Sequence, residues 1–275
     1  MEKYTSLEII DNSPSPVFIL RLNTPRRSNA LSSQFFQEFP AALSSLDQNP
    51  NVAVIILSAK GNNFCAGFDL KALASLTADI HTGSDPARSA ERSRRHIKFM
   101  QDAISAIEHC RKPVIAAVQG ACIGGGVDMI TACDMRFCTE DAYFCVKEVD
   151  LAITADLGSL QRLPGIVGYG NAMDLALTAR TFSGSEAKAM GLVSKTFGSK
   201  ADMDEGVGAI AEGIAAKSGL AVIGTKRVMI TSREMRLNEG LDYVATWNSA
   251  LFLSNDLKEV AAARAQNRKP SFSKL

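Results

Sequence analysis

The chain has 275 residues, 46% of them hydrophobic and 21% charged, with a formal net charge of +1. That length can bury a large core, in one big domain or in one domain with a smaller appendage. The balanced charge gives no electrostatic footprint for nucleic acid, and no apolar run approaches the roughly 20 residues that cross a bilayer.

The start, MEKYTSLEIIDNSPSPVFIL, lacks the basic-then-apolar order of a secretory signal. Six cysteines (Cys65, Cys110, Cys122, Cys133, Cys138, Cys145) sit mostly in apolar sequence without a CxxC pair, which predicts reduced, buried thiols. His81, His96 and His109 are dispersed, so no metal site is expected. Ser273-Lys274-Leu275 reads as the address of a peroxisomal import receptor, and a peroxisomal location is expected from it.

In chain order, residues 5–12 and 16–22 predict a β-hairpin across Ser-Pro-Ser-Pro. A loop with adjacent cations, Arg26 and Arg27, leads to Ser32-Ser33, which can cap a helix carrying Phe35, Phe36, Phe39, Leu43 and Leu46. Val52 to Leu57 is a continuous apolar run, the pattern of a strand covered on both faces. After the loop Gly61 to Leu70, residues 77–95 turn polar and predict a lid-like excursion. A helix is expected from about Ala90 to His109, with the Arg92-Ser93-Arg94-Arg95 run on its solvated face.

The centre of the chain is Pro113 to Leu157. It holds a strand (Val114 to Val118), the cluster Gly124-Gly125-Gly126, a helix-like segment to Ala132, and three acids in apolar company. Burying an ionised carboxylate without a partner is expensive, so Asp128, Glu148 and Asp156 mark a candidate active site. Other readings stand beside this one. Asp156 can be the N-cap of a helix starting near Ser159, and Asp128 can satisfy a helix N-terminus. Asp150 is expected on the opposite face of an extended segment from Glu148. Residues 158–170 predict a connector before a helix from Asn171 to Ala179. Ser183-Gly184-Ser185-Glu186 predicts a helix start, and Gly191-Leu192-Val193 a short strand. Beyond residue 201 only helices are predicted: 202–217, 221–233 and 237–265, the last broken near Ser254. The division expected is an α/β core over 1–200 and a helical subdomain over 201–275.

Five blocks, in this order, resemble the crotonase (enoyl-CoA hydratase/isomerase) superfamily. They are Asn29-Ala30-Leu31, Phe64 to Leu70, Gly120 to Asp128, Cys133-Asp134-Met135-Arg136, and Ala187 with Gly191-Leu192-Val193. The resemblance covers nearly the whole chain and implies a ββα spiral core with a helical C-terminal oligomerisation subdomain. Glu148 follows Asp128 by 20 residues, and Asp156 follows eight later. That Asp, Glu, Asp order is similar to the branch that isomerises 3,5-dienoyl-CoA to 2,4-dienoyl-CoA. Hydratases of the superfamily have no acid at the third position.

The resemblance implies roles. The amides of Phe68 and Gly125 would hold the thioester oxygen, Glu148 would act as base at C2, Asp156 as acid at C6, and Asp128 would tune Glu148. Arg26, Ala66, Gly67, Phe68, Asp69, Leu70, Lys71 and Gly126 would line the coenzyme A path, with Arg27 a weaker candidate. It further implies an acyl-CoA thioester substrate, no cofactor beyond the substrate's own coenzyme A, and a homotrimer or hexamer. The rival activities are enoyl-CoA hydration and Δ3-Δ2 isomerisation. A non-catalytic acyl-CoA-binding protein is the rival of another class.

Overall fold

The computed structural model describes residues 4–69 and 85–275. Leu70 and Lys71, and residues 77–84 of the expected lid, lie outside the described residues.

The chain opens with the predicted hairpin: β1 (Leu7–Asp11) pairs antiparallel with β2 (Val17–Leu22), Leu7 opposite Leu22. Ser32 then caps α1 (Ser33–Gln48) by accepting from the Phe35 amide. β3 (Val54–Ala59) follows. α2 (Pro86–His109) starts four residues before the expected Ala90, because Asp85 accepts from Ala87 N and Pro86 occupies the first turn. The cations at 92, 94 and 95 are exposed on it, as the sequence predicts. β4 (Val114–Val118), β5 (Ala121–Ile123), α3 (Gly125–Ala132), β6 (Met135–Thr139) and β7 (Tyr143–Cys145) form the centre.

Two expectations fail in the next stretch. Glu148–Leu151 is a 3-10 turn, not extended chain, so face alternation does not separate Asp150 from Glu148. Asp150 is nonetheless exposed, where it pairs with Lys147. The connector contains a helix, α4 (Ser159–Val167), despite its internal Pro164 and Gly165. Ser159, Leu163 and Val167 recur at helical spacing and are its buried residues. α5 (Tyr169–Thr178), β8 (Phe182–Ser183), α6 (Gly184–Ala189) and β9 (Lys195–Phe197) complete the α/β part. The short strand falls just after Val193, and α6 opens on a reciprocal Ser183–Glu186 capping box.

Six strands make the main sheet in the order β1-β2-β3-β4-β6-β9, parallel from β2 onward. β5, β7 and β8 make a small second sheet. Both faces of the main sheet are covered, which is why β3 and β4 read as unbroken apolar runs. Ile55, Leu57, Val114 and Ala116 face α1 and α2, where Phe36, Phe39 and Ile104 are fully buried. Val54, Ile56, Ile115 and Ala117 face α7 (Lys200–Ala215) through Met203, Val207 and Ala211. All six cysteines are buried free thiols.

After α7 come α8 (Gly219–Thr231), α9 (Leu237–Leu251) and α10 (Asn255–Ala265). α8 is tied to the core by one buried cation. Lys226 Nζ lies 2.8 Å from Asp134 Oδ2 and donates to the carbonyls of Ile107 and Lys112, each at 3.0 Å. By contrast α9 buries none of its residues, and Leu237, Leu241, Phe252, Leu253 and Leu257 are exposed on α9, α10 and their join. No single helix among the described residues is long and apolar enough to cross a membrane. Removing one partner of a buried pair leaves the other charge uncompensated, at about 3–5 kcal/mol. Lys226→Met should therefore lower the urea unfolding midpoint by an amount equal to about 3 kcal/mol. An unchanged midpoint would show that the pair contributes nothing.

Candidate active site

The site is assembled where three loops are stitched side by side. Cys65 bridges to Cys122 of β5, its amide donating to Ala121 O and its carbonyl accepting from Ile123 N, both at 2.9 Å. On the other edge of this loop, Leu31 N donates to Gly67 O at 2.8 Å and Asp69 N donates to Leu31 O at 3.0 Å. Those bonds use the atoms flanking Phe68 and turn its own amide off the bridge. The Phe68 ring packs on Phe36, with centroids 5.7 Å apart. Gly124 N donates to Cys145 O at 2.9 Å and joins the end of β5 to the end of β7, three residues before Glu148.

An added side chain would crowd a neighbour at each position of the glycine run. A Cβ on Gly124, whose φ is +51°, would lie 3.1 Å from Glu148 Oε1. One on Gly125 would lie 2.7 Å from Leu31 Cδ1, and one on Gly126 3.0 Å from Cys65 Cβ. Backbone therefore sits where side chains cannot. Gly125 is the first residue of α3, where amides have no intrahelical acceptor. Among the described residues, neither the Phe68 nor the Gly125 amide meets an acceptor. Free amides at a helix start favour an anion or a developing oxyanion.

The three acids are brought together. Asp128, in the first turn of α3, is 1% exposed, and its Oδ1 accepts from Ser159 N at 2.7 Å. It thus serves the N-terminus of α4 rather than that of its own helix. Burial, followed by the negative charge of Asp156, pushes its carboxyl up to about 6 against the pull of the Ser159 amide. Glu148 is 8% exposed and its Oε2 has no hydrogen-bond partner among the described residues. Burial first, then the charge of Asp128, with Asp156 adding to it, raises it to about 7. Asp156 is half-buried, and burial raises its carboxyl as well. It does not cap α4: the N-cap position is Gly158, with no side-chain cap.

The expected coenzyme A residues fall into three groups. Ala66 and Gly67 lie on the oxyanion loop, where Gly67, at φ +91°, runs against Ile123 O. Arg26 is exposed and lines a recess of about 320 Å³ with Thr24, Pro25 and Arg27. Asp69 is engaged by Arg27, Nη1 to Oδ2 at 3.1 Å, which gives the weaker cation a definite partner. Gly126 is buried behind Gly125 in α3. Ser159, Arg162 and Gln101, which hold the acids in place, were not anticipated. The helical spacing from Ser159 was the available signal, obscured by Gly158 and Pro164.

The enoyl-CoA hydratase/isomerase family profile matches residues 12–274. The chain belongs to the enoyl-CoA hydratase/isomerase family. Among family members, it is 64% identical to the peroxisomal Δ(3,5)-Δ(2,4)-dienoyl-CoA isomerase of Arabidopsis thaliana, over 100% of this chain and 99% of that one. It is 40% identical to the human mitochondrial Δ(3,5)-Δ(2,4)-dienoyl-CoA isomerase, over 99% of this chain and 84% of that one. A crystal structure of an enoyl-CoA hydratase from Bacillus anthracis superposes with a TM-score of 0.88 at 30% identity, covering 98% of this chain and 99% of that one. The fold is thus the crotonase type expected from the sequence.

Within this family fold the raised carboxyls carry a cost to stability. Glu148 binds its proton more tightly when folded (about 7) than when unfolded (4.5), so its contribution falls as pH rises through that window. A shift of that size is on the order of 3 kcal/mol. Glu148→Gln removes the charge. Its melting temperature, measured against the parent chain by calorimetry, should gain several degrees between about pH 5 and about pH 8. Parallel curves for the two proteins would mean that the carboxyl is not perturbed.

Proposed function

We propose that this chain is a Δ3,5-Δ2,4-dienoyl-CoA isomerase. The observation that carries the reading is the coupling of Asp128, Glu148 and Asp156 in one buried site beside two unengaged amides. Moving a conjugated diene towards a thioester removes a proton at C2 and adds one at C6, through a dienolate whose charge rests partly on the thioester oxygen. The Phe68 and Gly125 amides suit that oxygen. Glu148, near 7, suits proton removal at neutral pH. Asp156, whose proton affinity burial raises, suits delivery at C6, and Asp128 keeps Glu148 basic through its negative charge. Each turnover leaves a proton on Glu148 and takes one from Asp156, so the cluster must pass it back. No step calls for a redox group or metal. Ala66, Gly67, Asp69, Gly126 and the rim cation Arg26 are assigned to the acyl-CoA path.

The 64% identical relative is peroxisomal, which together with Ser273-Lys274-Leu275 supports import through the receptor for that tripeptide. The exposed apolar residues of α9 and α10 suit burial against further copies of the chain, as a trimer or hexamer.

Enoyl-CoA hydration is the second reading, favoured by the likeness to the Bacillus anthracis enzyme. Asp156→Asn separates the two. Followed by diene absorbance, it should lower isomerisation of a 3,5-dienoyl-CoA by at least about 100-fold. Any addition of water to a 2-enoyl-CoA should be little changed. A variant that isomerises at the parent rate would remove Asp156 from the mechanism.

A further inference from the structure

The turn from Asp156 to Ser159 belongs to no strand, yet it carries one acid and the amide that meets another. Side chains hold it. Gln101 Nε2 donates to Asp156 O at 2.7 Å. Arg162 Nη1 donates to Leu157 O at 3.3 Å and lies against Gly158, where a Cβ would come within 1.9 Å of it. Only glycine, here at φ +118°, admits the guanidinium so close to the backbone. The guanidinium is itself anchored. Nε and Nη2 fork onto Glu108 Oε2 at 2.9 and 2.6 Å, and Nη2 also donates to Ser105 Oγ at 3.1 Å. Gln101, Ser105 and Glu108 lie on one face of α2, and Glu108 Oε1 accepts from Arg233 Nη1 at 2.6 Å. This network lines a cavity of about 930 Å³ behind the carboxyl site.

We infer that Arg162, together with Gln101, is a positioning residue for the reaction. The two clamp the Asp156–Ser159 turn, so that the Asp156 carboxyl stays beside Glu148 and the Ser159 amide stays on Asp128. The inference deepens the isomerase reading and rests on it for its catalytic consequence. A rigid planar fork on a carboxylate holds a turn better than a point charge does, and a displacement of about 1 Å can cost 100-fold in rate. Asp128 is faced by Glu148, by Asp156 and, across the turn, by Arg162, with the Cys65 and Cys122 thiols on its other side. Arg162 is the only cation among these, and its charge favours the ionised cluster.

The test uses the full chain carrying Arg162→Gln or Gln101→Met. In Arg162→Gln, kcat should fall about 10- to 100-fold while KM stays within about threefold. The acid limb of the kcat profile should move to higher pH, because removing a cation raises the cluster's proton affinity. A folded Arg162→Gln with parental kcat and acid limb overturns the inference. If Arg162→Gln does not fold, Gln101→Met decides: a fall in kcat of about threefold or more is expected, and parental kcat overturns. A substrate-free readout separates this inference from the function itself. Carbon NMR of aspartate carboxyls should show Asp128 titrating at higher pH in Arg162→Gln, and an unmoved titration overturns. A displaced titration in a chain whose parent does not isomerise dienes would sink the isomerase reading and leave the clamp standing.

Discussion

Side chains close in on three sides of the Gly124–Gly126 run, leaving no room for a Cβ there, and the site depends on that approach. One glycine touches the Glu148 carboxylate, the next touches Leu31, and the third touches Cys65 and Cys122. Leu31 and Cys122 are the two residues to which the Cys65–Phe68 loop is bridged on either edge. The same three contacts therefore bring Glu148, the Gly125 amide and the loop bearing the Phe68 amide into register. A methyl group at any of the three positions would push at least one of these away. Precise donors around a reacting oxygen require a rigid frame, and here the frame is bare main chain packed against side chains.

That frame must also tolerate charge. Burial raises Asp128, Glu148 and Asp156 alike; the charge of Asp156 makes Asp128 harder to ionise, and both make Glu148 harder to ionise. The fold answers with few hydrogen bonds: one Ser159 amide on Asp128, and a Glu148 oxygen with no partner among the described residues. A fully satisfied carboxylate would be more stable and less basic, so the missing partner is consistent with proton transfer. The stability given up here is recovered in the two apolar layers on either side of the parallel sheet.

Much of this was legible because the signals were local. The β3 and β4 runs announced strands buried on both faces, Ser32 announced α1, and the glycine run with three acids announced the site. What stayed hidden was set by contacts distant in the chain. The reach of Arg162 to Glu108 spans 54 residues, and that of Gln101 to Asp156 spans 55. The start of α2 was missed because its exposed first turns carry no apolar period, leaving only Asp85-Pro86 as a signal. α4 was missed for the opposite reason: its period was present, but Gly158 and Pro164 argued against a helix. Asp156 looked like a cap, and in space the cap-like bond to α4 comes from Asp128.

The third acid also explains why bracing matters more here than in a site built from the first two. Asp128 sits in a helix, and Glu148 follows directly on β7, so secondary structure positions both. Asp156 lies beyond the 3-10 turn and before α4, where among the described residues no strand ladder holds the chain. α2 supplies the missing restraint by laying Gln101, Ser105 and Glu108 along one face beneath the turn. Glu108 in turn is gripped by Arg233, just after α8, which Lys226 pins to the core. The helical C-terminal segment thus has a mechanical connection to the turn bearing Asp156 through two ion pairs on a single glutamate. Movement of α8 relative to the sheet would reach Asp156 before it reached the Phe68 and Gly125 amides.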